Sequence, residues 1–379
     1  MCIMKRFLIA MLALSSFPFD ISSLPVKNDL QPVEITAPQI QEEVHLTEET
    51  PIIEQNIETI ETIETIETIK TIDEVQTIDI VISFTGDCTI GTDESYRGYT
   101  FDKVYDEVKD SGYFFQNSKS VFEADDYTFI NLEGVFTSET KKADKKFRYK
   151  GPPSYCEILV KGGIDGCNLA NNHTHDYLQA GFDQTVEVLK NAGIDYTYMD
   201  SYLIKEINGA RIGFLSYKGW SSEKKSNELL VRHVKELREQ GVVFIIANYH
   251  WGDMYSYIPN NQQKNMAHFA IDNGADLVIG HHPHVLQGME TYKGKNIVYS
   301  LGNFCYGGKM NPSDKDTIIF QQIISFDISK KEIAGTDYKI IPASISSRTD
   351  RNDFQPTIAA GEEAERIIKK FESISIGSK

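Results

Sequence analysis

Five apolar runs of this 379-residue sequence each end in side chains that bind metals or transfer protons. These side chains are Asp87, Glu133, Asn172 with His173, His250, and the group His281, His282 and His284. In open α/β sheets, ligands bind beyond the carboxyl ends of the strands, so residues that follow five strands can meet in one crevice. We therefore predict that these side chains form a single site.

Carboxylate, amide and imidazole groups together are a ligand set typical of catalytic metal sites. Cys88 is the one thiol beside these strand ends, and alternation along the strand directs it away from Asp87. Mixed oxygen and nitrogen ligands suit Mn, Fe(II), Zn or Mg, and we expect one or two ions of Mn, Zn or Fe. A shared carboxylate holds two ions about 3.5 to 4 Å apart, where they clamp a phosphoryl oxygen and activate a water. His173 can then act as a general acid, with its ring oriented by Asp176.

Each of these residues also has an ordinary structural explanation. Asp87 and Asp176 can cap helices, Asn172 can shape a turn, and a histidine pair beside Pro283 is more often a turn than a ligand pair. Six of the nine histidines nevertheless cluster at strand ends, and the separate explanations leave this clustering without a cause. A metal site is therefore the favoured interpretation of the set.

The rest of the sequence predicts the elements that position these residues. Short apolar runs typical of buried strands lie at residues 78–84, 127–132, 164–170, 242–249 and 275–280, with later ones at 317–328 and 338–345. Helical patterns lie at 178–193, 226–241, 260–274 and 361–374. Hairpins are predicted at 203–217, around Asn208–Gly209, and at 290–304. This order indicates an α/β domain of about 300 residues.

The N-terminal residues have a different character. Residues 1–19 place Lys5 and Arg6 ahead of an apolar run, which is the layout of an export signal. The run is shorter than the ~18 to 20 residues that span a bilayer, so we expect a cleaved signal, or else a short membrane anchor. Residues 20–78 contain an Ile-Glu-Thr repeat and are predicted to be a disordered acidic linker, with a strand-rich stalk as the alternative. The folded domain is predicted at 79–379.

Charge and cysteine content exclude some functions. Most of the net charge of −17 lies in the first 80 residues, which indicates a solvated tether and gives no sign of nucleic-acid binding. Five cysteines without zinc spacing allow one or two disulfides in an oxidising compartment.

One segment, KKADKKFRYK at 141–150, is strongly basic within this acidic chain. It is either a solvated loop or a binding surface for an anionic substrate beside the metals. On the second interpretation, Arg148 and Lys150 are the residues predicted to contact substrate, because they lie nearest the Gly151–Pro152–Pro153 turn.

Taken together, the motifs resemble the CapA family of bacterial capsule-synthesis proteins, within the calcineurin-like metallophosphatase superfamily. The stretches that carry the resemblance cover about residues 80–305 and read FTGDCTIG, INLEGVF, NLANNHTHDY, NYHWGDMY and DLVIGHHPHVLQGMETYKGKNIVYSLGNF. The resemblance implies a four-layer α/β/β/α sandwich, a membrane-proximal N-terminus, exposure outside the cell, and a role in making or exporting poly-γ-glutamate.

The resemblance also assigns individual residues. It implies metal ligands at Asp87, Glu133, Asn172, His250, His282 and His284, with His281 as a further candidate, and it places Asn303 in the last stretch as a substrate contact. Two positions depart from the superfamily pattern. Thr89 stands where typical phosphatases have a histidine, and Glu133 replaces the usual bridging aspartate.

The function predicted from these observations is an exported capsule-biosynthesis protein with a metal-dependent hydrolase-like site. Its expected partners are an anionic polymer such as poly-γ-glutamate, or a phosphoester, and other membrane proteins of capsule synthesis. Two alternatives stay open. One is a non-catalytic component of capsule assembly or export, and the other is a secreted metallophosphoesterase unrelated to capsule.

Overall fold

A computed structural model of the chain describes residues 76–377. The predicted export signal or anchor lies outside the described residues, and so does the predicted linker up to residue 75. The first strand begins at Thr77, so the last residues of the predicted linker belong to that strand. Within the described range, no helix is long and apolar enough to cross a membrane.

The strands alternate along the chain with helices, as the apolar runs predicted. The strands are β1 (Thr77–Thr89), β2 (Thr92–Asp93), β3 (Tyr127–Leu132), β4 (Val135–Phe136), β5 (Tyr149–Gly151), β6 (Gly166–Asn168), β7 (Asp195–Thr197), β8 (Leu203–Ile207), β9 (Ala210–Lys218), β10 (Phe244–His250), β11 (Leu277–His281), β12 (Leu286–Tyr292), β13 (Lys295–Leu301), β14 (Asn303–Tyr306), β15 (Asp316–Asp327), β16 (Glu332–Ser344) and β17 (Thr357–Ile358). The helices are α1 (Phe101–Val108), α2 (Lys119–Phe122), α3 (Cys156–Gly162), α4 (Leu178–Ala192), α5 (Glu223–Glu239), α6 (Asn261–Asp272) and α7 (Gly361–Ser373).

Local sequence signals explain several of these boundaries. Helix α4 ends at Gly193, whose φ of +74° is the left-handed C-cap that glycine favours. The N-terminus of α6 carries a capping box between Asn260 and Gln263. The first predicted hairpin is confirmed, because β8 and β9 pair antiparallel around Asn208 and Gly209, which both have positive φ.

Most strands belong to two large sheets. The first has the order β17-β16-β15-β1-β3-β6-β7, with β14 also pairing with β1, and the second has the order β12-β13-β11-β10-β9-β8. Strands β1, β3, β6 and β7 run parallel in the first sheet, and β9, β10, β11 and β13 run parallel in the second. Parallel strands put their carboxyl ends on one edge of each sheet, which is where the predicted site residues lie.

The two sheets pack face to face. Alternate residues of β1, Ile80, Ile82 and Phe84, point into a core that also holds residues of β9, β10 and β11. The rings of Phe129 on β3 and Phe214 on β9 lie 4.9 Å apart across this core. Helices α1, α3 and α4 cover the outer face of the first sheet, and α5 and α6 cover that of the second. The layers are thus helix, sheet, sheet and helix, which confirms the predicted four-layer sandwich.

Four cysteines lie within the described residues, at positions 88, 156, 167 and 305, and all are buried free thiols. No disulfide forms among them, although the sequence allowed one or two. Cys88 belongs to the core between the first sheet and its helices, so its side chain points away from Asp87, as alternation along the strand predicted.

Candidate metal centre

The site residues come from two sheets, whereas the sequence suggested the crevice of one open sheet. Asp87 lies near the end of β1, Glu133 follows β3, and Asn172 follows β6, all in the first sheet. His250 ends β10, and His282 and His284 follow β11, both in the second sheet. The face-to-face packing of the sheets brings the carboxylates of one against the imidazoles of the other.

Tight backbone geometry holds these segments. At Gly86 an added Cβ would lie 2.5 Å from the carbonyl oxygen of Gly302, so only glycine permits the approach of β1 to the segment before β14. His282 and His284 flank Pro283 with φ values of +100° and +58°. Non-glycine residues adopt this left-handed region at a cost, and such residues cluster at functional sites.

Two groups of buried side chains are arranged as metal ligands. Asp87, Glu133 and His284 form one group, and Glu133, His250 and His282 form the other. Within each group, the candidate ligand atoms all lie within 4.8 Å of one another. Glu133 belongs to both groups, so its carboxylate can bridge two ions, as the sequence predicted for the shared ligand.

The carboxylate of Glu133 is fully buried, and neither of its oxygens has a hydrogen-bond partner among the described residues. Oε1 lies 3.5 Å from His250 Nε2, and Oε2 lies 3.9 Å from His284 Nδ1. Burial raises the pKa of Glu133 to about 8. A buried carboxylate without partners is costly unless a cation compensates it, so the residues present fit a divalent metal.

Asp87 is held by its neighbours in one orientation. Asn131 Nδ2 donates to Oδ1 at 2.8 Å, and the backbone N–H of His282 donates to Oδ2 at 3.1 Å. Burial raises the pKa of Asp87, but the neighbouring imidazoles of His281 and His284 outweigh burial and keep this pKa well below its usual range. Asp87 is therefore an ionised candidate ligand, and Asn131, to which the sequence assigned no role, holds its carboxylate in position.

An amide oxygen lies beside the second group. Asn172 Oδ1 lies 2.8 Å from His250 Nε2, which is itself 3.1 Å from His282 Nδ1. Burial and then His282 hold the pKa of His250 well below its usual value, and burial with His284 lowers the pKa of His282 to about 3. Both rings are therefore neutral at physiological pH, which is the form of histidine that binds metals.

His173 and Asp176 form the pair that the sequence predicted for proton transfer. His173 Nδ1 lies 2.7 Å from Asp176 Oδ2, and its other nitrogen, Nε2, lies 3.8 Å from Glu133 Oε1. Asp176 also accepts hydrogen bonds from Lys145 Nζ at 2.6 Å and from the Tyr149 N–H at 2.6 Å. Asp176 thus orients the ring so that Nε2 faces the two ligand groups.

The predicted substrate contacts lie near the centre but are engaged with the protein. Arg148 donates to the carbonyl oxygens of Ala143 and Lys145, and Lys150 donates to that of Glu139 at 2.9 Å. Asn303 Oδ1 lies 2.9 Å from His284 Nδ1, while its Nδ2 donates to the His284 carbonyl oxygen at 3.0 Å. The contact of all three residues with substrate stays a prediction, and in this structure Asn303 orients the candidate ligand His284.

His281, the additional ligand candidate, is in neither ligand group. Its Nδ1 lies 3.5 Å from Asp87 Oδ1, the oxygen that also accepts from Asn131, and has no hydrogen-bond partner within the described part of the chain. His284 instead approaches the other oxygen of Asp87, at 3.3 Å.

Some residues at the site had no distinctive signal in the sequence. The Trp220 ring lies 4.7 Å from that of His282, and the Tyr306 ring lies 5.2 Å from that of His284. Lys145 approaches the centre, since its Nζ donates to the Asn172 carbonyl oxygen at 2.8 Å. Lys145 belongs to the basic segment quoted above, but the choice among its six bases depends on the loop conformation.

Metal binding at this centre is expected to release protons. Burial lowers the pKa of His284, but Glu133 and Asp87 raise it to about 9, and burial raises the pKa of Glu133 to about 8, so the interacting pair of His284 and Glu133 is protonated at neutral pH in the metal-free protein. A metal must displace these protons, so its apparent affinity should rise with pH between about 6 and 9. Calorimetric titration with Mn or Zn in buffers of different ionisation enthalpy measures the release, and a binding heat that is the same in every buffer would contradict it.

The layer order and the centre between the sheets define a four-layer α/β/β/α sandwich with a candidate metal site. The comparison with known families is more specific. The model of the family described as "Bacterial capsule synthesis protein PGA_cap" matches residues 81–307, and the chain belongs to this family.

Two curated relatives carry names of the same kind. The chain is 29% identical over 246 residues to "PGA biosynthesis protein CapA" of Bacillus subtilis (strain 168), a match covering 59% of this chain and 62% of that protein. It is 30% identical over 220 residues to "Capsule biosynthesis protein CapA" of Bacillus anthracis, covering 51% of this chain and 54% of that protein. The chain therefore spans less than two thirds of the length of either relative.

Among solved structures, the chain is similar to a novel phosphatase of Mycoplasma pneumoniae. That match has 16% identity and a TM-score of 0.43, and it covers 70% of this chain and 95% of the phosphatase chain. At this TM-score, the likeness says nothing further about function.

Proposed function

We propose that this protein is a metal-dependent hydrolase of capsule-polymer biosynthesis. The observation that carries the proposal is Glu133, a fully buried carboxylate that belongs to both ligand groups and has no hydrogen-bond partner among the described residues. A structural carboxylate would be expected to accept hydrogen bonds, since unpaired buried charges are costly. The missing partners are explained if cations take their place.

The residues that would hold the metal are Asp87, Glu133 and His284 on one side, and Glu133, Asn172, His250 and His282 on the other. When bound, the metal would act as a Lewis acid that polarises the substrate and lowers the pKa of a water. The two neutral histidines of the second group and the ionised Asp87 are already in the protonation states that such ligands need.

The protein's own acid is His173. Its Nδ1 is fixed against Asp176, so Nε2 is the nitrogen that can hold a proton toward a leaving group. Burial lowers the pKa of His173, Asp176 opposes this shift, and the positive charges of Lys145 and His284 add to the lowering. The Tyr149 ring, 4.4 Å from the His173 ring, limits access of water to the imidazole.

The substrate and the setting belong to the proposal. The names of the family and of the two curated relatives favour a capsule polymer such as poly-γ-glutamate. The bond cleaved would be an amide bond of this polymer or a phosphoester linked to its synthesis. We further propose that residues 1–19 direct export, that the protein acts outside the cell or at its surface, and that it works with other membrane proteins of capsule synthesis.

One observation favours the non-catalytic alternative. Thr89 stands where typical phosphatases have a ligand histidine, and its buried hydroxyl has no partner within residues 76–377. The first ligand group therefore has three protein ligands, and an ion bound there would dissociate more easily. A protein that binds one ion and grips a polyanion without cleaving it would have this feature.

Hydrolysis assays separate the candidates. The purified full chain would be loaded with Mn or Zn, its metal content measured, and p-nitrophenyl phosphate and poly-γ-glutamate offered as substrates. Cleavage of either with bound metal supports a hydrolase, and cleavage of the phosphate ester alone favours a phosphoesterase. Bound metal without cleavage of either favours the assembly component.

His173→Gln is expected to lower the hydrolysis rate by about 10² to 10⁴ while the metal content stays unchanged. Glutamine keeps polar atoms near Asp176 but cannot transfer a proton. The matched control is His233→Gln, because His233 lies on α5 and contacts Tyr217 outside the centre. If His173→Gln retains full activity in the metal-loaded protein, His173 is not the acid.

A further inference from the structure

A partly buried lysine at the edge of the candidate metal centre has no counter-ion. Lys218 ends β9, in register with the metal-ligand candidate His250 on β10. Among the described residues it forms no ion pair, and its Nζ lies over the Tyr198 ring, 6.0 Å from the ring centroid. A partly desolvated ammonium without a neighbouring carboxylate lowers the stability of the fold. This suggests that an anion compensates the charge of Lys218 in the ligand-bound protein.

The charges that face Lys218 increase this cost. After burial, the groups that lower the pKa of Lys218 most are the lysines Lys225 and Lys145. The charge of Lys225 is partly compensated by Asp200, 3.3 Å away, but both of these side chains are well exposed. Lys145 pairs with Asp176, whose carboxylate also contacts His173 Nδ1 and accepts a hydrogen bond from the Tyr149 N–H. The local field at Lys218 is therefore positive.

Lys218 and Lys145 lie along one edge of the centre. Lys145 Nζ donates to the Asn172 carbonyl oxygen, and the Asn172 side chain contacts His250, the register partner of Lys218. His175, which lies 3.0 Å from the Tyr198 hydroxyl, also has its pKa lowered by burial and then by Lys218. Lys145 thus lies on the Asn172 side of the ligand groups, and Lys218, on the strand next to His250, is close enough for its charge to interact with that of Lys145.

We propose that Lys218 and Lys145 form a subsite for a second anionic group of the substrate, so that the centre selects polyanions over molecules with a single anionic group. This inference rests on the proposed function for the identity of the polymer, but the binding it describes does not need hydrolysis. The anion can be a carboxylate of an acidic polymer or a phosphate, because an ammonium binds both as a point charge.

The test compares Lys218→Met with Lys218→Arg and with Lys224→Met in the full chain. Lys224 is a matched control because it lies nearby on α5 with its side chain 91% exposed. The probes are a fluorescent γ-linked glutamate oligomer and inorganic pyrophosphate, each added to EDTA-treated and to metal-loaded protein. Trp220, two residues from Lys218, provides an intrinsic fluorescence signal, and circular dichroism checks that each variant is folded.

Lys218→Met is expected to weaken binding of at least one probe about tenfold, the loss typical of one charge-assisted contact. Lys218→Arg and Lys224→Met should stay within about twofold of wild type, since each keeps the charge at position 218. The probe that loses affinity identifies the anion as carboxylate or phosphate. The proposal is overturned if Lys218→Met binds both probes as Lys224→Met does, or if wild type binds neither.

The same measurements separate this proposal from the proposed function. If the wild-type protein holds no metal but shows binding that depends on Lys218, the hydrolase proposal fails and the subsite stands. If metal binds and substrate is cleaved, but Lys218→Met changes neither probe, the subsite fails and the hydrolase stands.

Discussion

Glu133→Gln is expected to abolish metal binding at both ligand groups at once. Glutamine has the size of glutamate and stays buried, but it lacks the charge that two cations would share. The carboxylate is the one ligand common to both groups, so its loss leaves two separate and weaker sets, Asp87 with His284, and His250 with His282 and Asn172. If the protein is the proposed hydrolase, hydrolysis should fall to the level of the metal-free protein, because the metal would supply the activated water.

Metal content and thermal unfolding measure this effect together. Wild-type protein at a free metal concentration about 100 times Kd should gain about 2.7 kcal/mol of stability, which raises Tm by about 5 °C or more. Glu133→Gln should show no metal-dependent rise, whereas Glu206→Gln, which changes an exposed carboxylate of β8, should behave as wild type. A Glu133→Gln protein that still carries two ions per chain would refute the bridging role.

His282→Ala and His284→Ala are expected to remove different ions. His282 belongs with Glu133 and His250, and His284 belongs with Glu133 and Asp87. Each single variant should therefore lose about one ion per chain, and the double variant should lose both. Losing a ligand is expected to cost more than the 10- to 100-fold in metal affinity that loss of an outer hydrogen-bonding partner costs.

The control for these variants is His268→Ala. His268 is also a histidine paired with a carboxylate, Glu290 at 3.0 Å, but it lies on α6 outside the ligand groups. Measured by mass spectrometry, the metal content of the His268→Ala control should equal that of the wild-type protein. If the His282→Ala with His284→Ala double variant keeps the wild-type metal content, these two histidines are not the ligands.

Much of the architecture followed from the order of apolar runs. The strand predicted at 127–132 matches β3 in full, and the helix predicted at 178–193 matches α4 with its glycine cap. These elements were predictable because periodicity and caps act within a few residues. The assignment of strands to two sheets needed the family resemblance, since an apolar run does not record which other run it pairs with.

The site was predictable at the level of residue types but not of orientation. The backbone turn around Pro283 places His284 toward Glu133, whereas His281, before this turn, approaches only Oδ1 of Asp87. In the basic segment, Arg148 and Lys150 were predicted to meet substrate, yet they bond to nearby carbonyl oxygens. Lys145 approaches the centre instead, because Asp176 and the Asn172 carbonyl oxygen attract its ammonium.

Anomalous diffraction from crystals of the protein soaked in manganese is the most direct test of the metal centre. The account predicts two anomalous peaks on the two sides of the Glu133 carboxylate, one contacting Asp87 and His284 and the other contacting His250 and His282. The account would be contradicted by a crystal soaked at a saturating manganese concentration that shows no anomalous peak at Glu133. In such a crystal the Glu133 carboxylate oxygens would be bonded only to protein or water.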